Sequence, residues 1–414
     1  MNALYTNASC DGVQTHDKQH AGEQILLPWR DKAFRANPYP WYEVLREKAP
    51  VYRDPLSENT YVISHYYDVL TFGKHPSLTT KAPSWVPRGP WSLFKDSMIV
   101  VDPPEHAAMR RKSNKWFTPK KAEEWVEATS AEVIDVIDRL GPSGMIEAYR
   151  NLALIPAHYA MCKALGIPND GFDTAAAWMH DAMLALGSVV SEEEEERCYA
   201  AFAYLTDRVN HYIRLRRESP DEGMVSSWID SVVKGEMTER QLFEGLLLFW
   251  ATATPNAAYL ITGGLEMFAR HPEVFDMWRN QPEKRHAIFN EIARLYTAEV
   301  SFTRFTTEEL NIRGVKIPPG MMIRFMISAA NRDPEAFPNP DKFDVERSVD
   351  GKVNLTFGTG AHSCPGMLLA RAEAHAVYNA LAARVKRIDL GGEPIYDHDD
   401  RNGVYDRLPL RLVV

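Results

Sequence analysis

Phe357–Gly366, FGTGAHSCPG, sets three glycines and one cysteine within ten residues. Glycines at 358, 360 and 366 allow unusual backbone angles and close approach to something bulky. Cys364 closes this loop immediately before a helical pattern, MLLARAEAHAVYNALAARV. A helix N-terminus favours a thiolate through its dipole and free N–H groups. A single anionic sulfur held by backbone amides suits one axial bond to a metal in a macrocycle. Two other readings stay open at this point. A lone cysteine is often a buried small hydrophobe. Zinc is the other, with His362 nearby, but zinc wants four protein ligands, or three in an open site. No second Cys/His cluster is present.

The rest of the chain bounds the class. It has 414 residues, 45% hydrophobic, enough for a large core. Net charge is −9, and no long basic run interleaves with aromatics, so a general nucleic-acid role is not expected. The four cysteines, Cys10, Cys162, Cys198 and Cys364, are scattered; a reducing cytoplasm fits better than a disulfide framework. No run of about 18 apolar residues exists, so no membrane helix is expected. Residues 1–25 are polar and lack an apolar h-region, and are expected to form a flexible tail. Residues 26–414 carry no internal repeat and no strong linker, so one domain is expected there.

Helical patterns dominate. Helical periodicity runs from about Pro104 to Arg139, and resumes in LALIPAHYAMCKALGIP and FDTAAAWMHDAMLALGSVV. SEEEEER (Ser191–Arg197) reads as a solvated helix start, because acids suit a helix N-terminus. VYRDP and TYVISHY read as a hairpin; SFTRFT, LNIRGVKIPPG, MMIRFMIS and the final RLPLRLVV are strand-like. The fold class is therefore mainly α with small β-sheets.

Leu246–Gly264, LLLFWATATPNAAYLITGG, is apolar and uncharged, yet Pro255 sits in its middle. A proline there costs about 3 kcal/mol in an ordinary helix. It cannot donate to the carbonyl of Ala251, and the Thr254 hydroxyl can compete for a carbonyl one turn back. Read from the residues alone, this is a simple proline kink in a core helix.

The cysteine loop resembles the haem-binding pattern of the cytochrome P450 superfamily, FxxGxxxCxG, at Phe357, Gly360, Cys364 and Gly366. EIAR (Glu291, Arg294) resembles that family's ExxR pair, and FDVER places Arg347 where the family has the third member of the triad. DPPEHAAMRR (Asp102–Arg111) resembles the bacterial helix C start, and NRDPEAFPNPDKFD the segment after helix K. The resemblance runs from about Asn37 to the C-terminus and implies the cytochrome P450 fold.

That resemblance implies haem b as cofactor, with Cys364 as the axial thiolate ligand of its iron and Phe357 and Gly366 beside the sulfur. His106, Arg110, Arg304 and His362 stand at positions resembling the family's propionate partners. Glu291, Arg294 and Arg347 would form a structural ion-pair network. Leu246–Gly264 falls at the family's I helix. Aligning Thr254 with the family's threonine puts Ala253 where an acid is usual, with Thr252 beside it. Proton delivery would then pass through Thr254 and an ordered water.

Substrate walls in the family come from four regions. The loop before helix C would supply Trp85, Trp91 and Phe94, and the F–G region Trp178, Met179 and Met183. The I helix would supply Phe249 and Trp250, and the turn after helix K Val300 and Phe302. The set implies a small apolar, aromatic-lined pocket, with Trp250 restricting space near the iron. The expected activity is oxidation of a small indole- or phenol-like metabolite in specialised biosynthesis. Oxidative aryl coupling, aromatic nitration, peroxide-dependent or rearranging chemistry are alternatives, and a non-catalytic haem sensor is a further one. The basic residues Arg111, Lys112, Lys115, Lys120 and Lys121 would steer an acidic ferredoxin or flavodoxin, itself served by a reductase. A cytoplasmic monomer, with no membrane or nucleic-acid partner, is expected.

Overall fold

A computed structural model describes residues 25–86, 94–141, 143–184, 191–347, 352–396, 398, 402–403 and 405–414. The expected tail, apart from Ile25, lies outside the described residues, as does Trp91.

The longest helix, Glu239–Arg270, carries the Pro255 stretch through the middle of the molecule. Thr238 and Gln241 cap its start reciprocally, satisfying two orphan N–H groups. The helix is continuous across Pro255, so the proline interrupts the hydrogen-bond ladder without ending the element. Its burial is nearly all round from Leu242 to Phe268, the pattern of a core helix. Gly263 and Gly264 let neighbours press against it. A Cβ at 263 would lie 2.4 Å from the Tyr296 ring, and one at 264 would lie 2.0 Å from the Tyr378 hydroxyl. That hydroxyl donates to the Ile261 carbonyl at 2.9 Å.

The helix expected over 104–139 is two helices, Glu105–Asn114 and Pro119–Asp138. Thr118 accepts from Lys121 N and Pro119 opens the second helix, a cap-plus-proline restart. LALIPAHYAMCKALGIP begins as a π-helical turn, Tyr149–Leu154, before the α-helix Ile155–Leu165. Ser191 and Glu194 form a capping box that starts Glu192–Glu218, so the acidic run is the helix start it resembles.

The β content is small. One sheet has the spatial order Val51–Arg53, Thr60–Ile63, Met322–Met326, Ser301–Thr306, Leu78–Thr79. The first two strands form the expected hairpin, and the second runs parallel to Met322–Met326. The C-terminal strand Pro409–Val413 lies between Met145–Glu147 and Arg387–Leu390. No helix among the described residues is long and apolar enough to cross a membrane.

A buried ion-pair network anchors the cysteine loop. Arg294, on the helix Arg285–Leu295, forks onto Glu291 at 2.8 and 2.9 Å. Arg347 reaches both oxygens of the same carboxylate at 3.2 Å. Their remaining N–H groups go to carbonyls, Arg294 to Asn331, Pro340 and Lys342. Asn331 then accepts from Leu355 N at 2.7 Å, and the Thr356 hydroxyl donates to Ala293 O at 2.6 Å. The next residue, Phe357, accepts at its carbonyl from Cys364 N at 2.8 Å. Hydrogen bonds, joined through the Leu355–Phe357 backbone, thus link the ion pair to the cysteine.

Candidate functional site

A cavity of about 250 Å³ lies between the long helix and the cysteine loop. Cys364, just before the helix Met367–Arg384, exposes its sulfur to this cavity while sitting deep in the molecule. Burial pushes the thiol up to about 11, against the pull of the Gly366 and Met367 N–H groups. Coordination to a metal ion overrides such a shift by deprotonating a thiol outright. Gly358 and Gly360 hold φ of +70° and +74°, which explains two of the loop's glycines. Gly366 differs from expectation: its φ is −82°, open to any residue. What it provides is space, since a Cβ there would stand 3.7 Å from the Cys364 sulfur.

Four basic groups gather along one side of the cavity. His106 and Arg110 come from the helix Glu105–Asn114, Arg304 from the strand Ser301–Thr306, and His362 from the cysteine loop. The two imidazoles overlap with centroids 4.0 Å apart. Burial, with Arg304 and His106 nearby, holds His362 down to about 3, and burial beside Arg110 lowers His106. The Nε2 atoms of both histidines are buried and meet no hydrogen-bond partner among the described residues. Two neutral donors between two guanidiniums are suited to a pair of carboxylates. A soft sulfur on one wall, carboxylate partners along one side and apolar walls elsewhere fit a flat, dianionic iron macrocycle such as haem.

The long helix forms the wall across from Cys364 with Leu248, Phe249, Thr252, Ala253, Asn256, Ala257 and Leu260. This is one stripe of an α-helix. Thr254 is not on it. Two residues from Thr252 is about 200° of rotation, and the Thr254 hydroxyl is buried off the cavity with no partner among the described residues. Thr254, expected to face the bound oxygen, does not face the cavity. The hydroxyl that bonds one turn back belongs to Thr252, which donates to Leu248 O at 2.7 Å.

Several expected pocket residues are also elsewhere. Trp250 points away from the cavity and packs edge-on to Tyr212 at 5.3 Å, so it restricts nothing near the sulfur. Trp178 stacks on Tyr204, Phe94 meets Phe202, and Trp85 donates to Gly320 O beside Phe305. Met179 and Met183 are buried in the core, and Val300 lines a separate small pocket with Tyr296. Phe249 and Phe302 do line the cavity, joined by Met98, Phe117, Met161 and Asn256, which the sequence reading missed. The spacing 248, 252, 256, 260 was the available signal for that face.

A family model described as Cytochrome P450 matches residues 285–382. The chain is 28% identical over 367 residues to mycinamicin IV hydroxylase/epoxidase of Micromonospora griseorubida, covering 84% of this chain and 88% of that one. It is 26% identical over 406 residues to 6-deoxyerythronolide B hydroxylase of Saccharopolyspora erythraea, covering 92% and 97%. The chain belongs to the cytochrome P450 superfamily. This P450 also shares its fold with the crystal structure of CalO2, with a TM-score of 0.84 at 23% identity over 94% of this chain and 99% of that one. It is a P450 monooxygenase-type oxidoreductase, with haem b as cofactor.

Proposed function

We propose that this P450 oxidises a compact, apolar, aromatic metabolite, using residues 26–414 as a single haem domain. The observation that carries this reading is the cavity. Away from the cysteine loop and the four basic groups, its wall includes Met98, Ile99, Phe117, Phe249, Phe302 and Ile327. Phe249 stacks on Phe117 with centroids 5.4 Å apart, an aromatic surface suited to ring edges.

In this reading Cys364 would hold the haem iron through its thiolate, and haem once bound would supply oxygen activation of the kind thiolate donation favours. His106, Arg110, Arg304 and His362 would hold the two propionates of that group. Phe357 and Gly366 keep the sulfur's side apolar and close-packed. Thr252 and Ala253 line the substrate side of the long helix. Arg111 and Lys120 dock an acidic ferredoxin or flavodoxin. They are exposed and form no ion pair among the described residues, whereas Lys112, Lys115 and Lys121 bond to Glu236, Ser227 and Glu124. Reversing both charges, R111E with K120E, is expected to slow reduction by an acidic ferredoxin about tenfold at low ionic strength, fading as salt rises. Stopped-flow reduction at two salt concentrations reads this, and equal rates at low salt remove the patch from donor docking.

A second reading has one supporting observation. The long helix presents no carboxylate to the cavity. That favours aryl coupling, nitration, or peroxide-dependent or rearranging chemistry over plain hydroxylation. Titrating indoles, phenols and aromatic amino acids, then comparing turnover with a surrogate ferredoxin pair against hydrogen peroxide, separates these. A high-spin shift with an aromatic and product only with the donor pair are expected. Product from peroxide alone at the same rate selects donor-free chemistry. The absence of any shift across the panel removes the aromatic substrate.

A further inference from the structure

We infer that Asn256 is the hydrogen-bond donor that the long helix aims at the ligand bound opposite Cys364. This rests on the haem-thiolate reading and goes beyond it, because no acid or alcohol of that helix is left to do the task. Seven residues of the helix line the cavity, and only Thr252 and Asn256 among them carry polar side chains. The Thr252 proton is committed to Leu248 O at 2.7 Å, so that hydroxyl can accept but not donate. Asn256 follows one turn later on the same stripe, half-buried, and its amide makes no hydrogen bond among the described residues. Thr254 is excluded by its direction.

The other polar groups around the cavity belong to different walls. His106, Arg110, Arg304 and His362 stand together on the carboxylate-binding side. The Thr356 hydroxyl is spent on Ala293 O at 2.6 Å. Glu373 lies on the helix that follows Cys364, Glu299 between the helix Arg285–Leu295 and the strand Ser301–Thr306, and Thr359 in the cysteine loop, none of them on the long helix. An amide differs from an alcohol or acid in one chemical respect. It donates two N–H bonds and accepts at its oxygen, yet gives up no proton near neutral pH. Asn256 therefore orients a ligand or a water but is not itself the proton source, and the proton must arrive through water. The Ala251 carbonyl, which Pro255 leaves without its helical donor, offers such a water an acceptor in the adjoining turn.

The test compares the haem-loaded wild type with Asn256→Leu, Asn256→Asp and Thr254→Val. Two probes read the donor directly, the dissociation constant of the ferric cyanide complex and the C–O stretch of the reduced carbon-monoxide complex. Asn256→Leu is expected to weaken cyanide about three- to tenfold, the worth of one neutral hydrogen bond, and to raise the C–O stretch. Asn256→Asp is expected to give a stretch that moves with pH, which the wild type lacks; this arm stands if the Leu variant does not fold. Thr254→Val, which trades a partnerless buried hydroxyl for a methyl, is expected to leave both probes unchanged. Asn256 variants that leave both probes unchanged overturn the assignment, as does a Thr254→Val variant that shifts them. A wild type whose reduced carbon-monoxide band lacks the thiolate red shift overturns the haem-thiolate reading itself, and the two failures are thereby distinguished.

Discussion

Glu291→Ala is expected to yield little folded, haem-loaded protein. The carboxylate lies between two arginines, and Arg294 is 1% exposed. Burial already lowers the Arg294 pKa against the opposing pull of Glu291. Removing Glu291 strands that guanidinium without a counter-charge, at a cost of about 3–5 kcal/mol. Whole domains are stable by only about 5–15 kcal/mol. The damage also has a route to the cofactor, because Asn331, Leu355 and Thr356 carry the same hydrogen-bond chain into the cysteine loop. Thermal unfolding and haem content per chain should fall together. Glu291→Gln preserves the shape and some hydrogen bonds, so it should sit between alanine and wild type. A Glu291→Ala protein that melts and binds haem as wild type does would show that the network carries no such burden.

Cys364→Ser is expected to separate haem binding from haem chemistry. The four basic side chains and the apolar walls are untouched, so the variant should still take up haem, at reduced affinity. A hydroxyl does not replace a thiolate as an electron-donating ligand. Donor-driven oxidation should therefore drop to background, and the reduced carbon-monoxide band should move back from its thiolate position. Measuring haem content, spectrum and product on one preparation distinguishes this from simple unfolding. Full turnover in Cys364→Ser would place the iron on another residue.

The cysteine loop was legible because its constraints are local. Gly358 and Gly360 are fixed by positive φ, and Cys364 by the helix it precedes. The Glu291–Arg294–Arg347 triad was legible for a different reason. A carboxylate and an arginine three apart on a helix face the same way, and the third partner was supplied by resemblance. The long helix was legible as an element but not in rotation. One residue of misalignment turns a side chain by about 100°. Nothing in LLLFWATATPN states that Trp250 turns to Tyr212 and His158, and that choice carries Thr254 away from the cavity and Asn256 into it. Several expected pocket rings lie elsewhere for a related reason. Large rings are the preferred filling of any core, and Phe94, Trp178 and Trp250 are spent on Phe202, Tyr204 and Tyr212. The helix expected over 104–139 failed at Thr118–Pro119, where a cap restarts what periodicity reads as continuous.

In the proposed function Cys364 holds haem iron as a thiolate, across the cavity from the Thr252–Asn256 face. The reduced carbon-monoxide difference spectrum of the purified, haem-loaded protein, recorded beside that of Cys364→Ser, tests it most directly. The expected result is a strongly red-shifted Soret band in the wild type that is absent from the variant. An unshifted band in the wild type, or a red-shifted band that survives in Cys364→Ser, would contradict it.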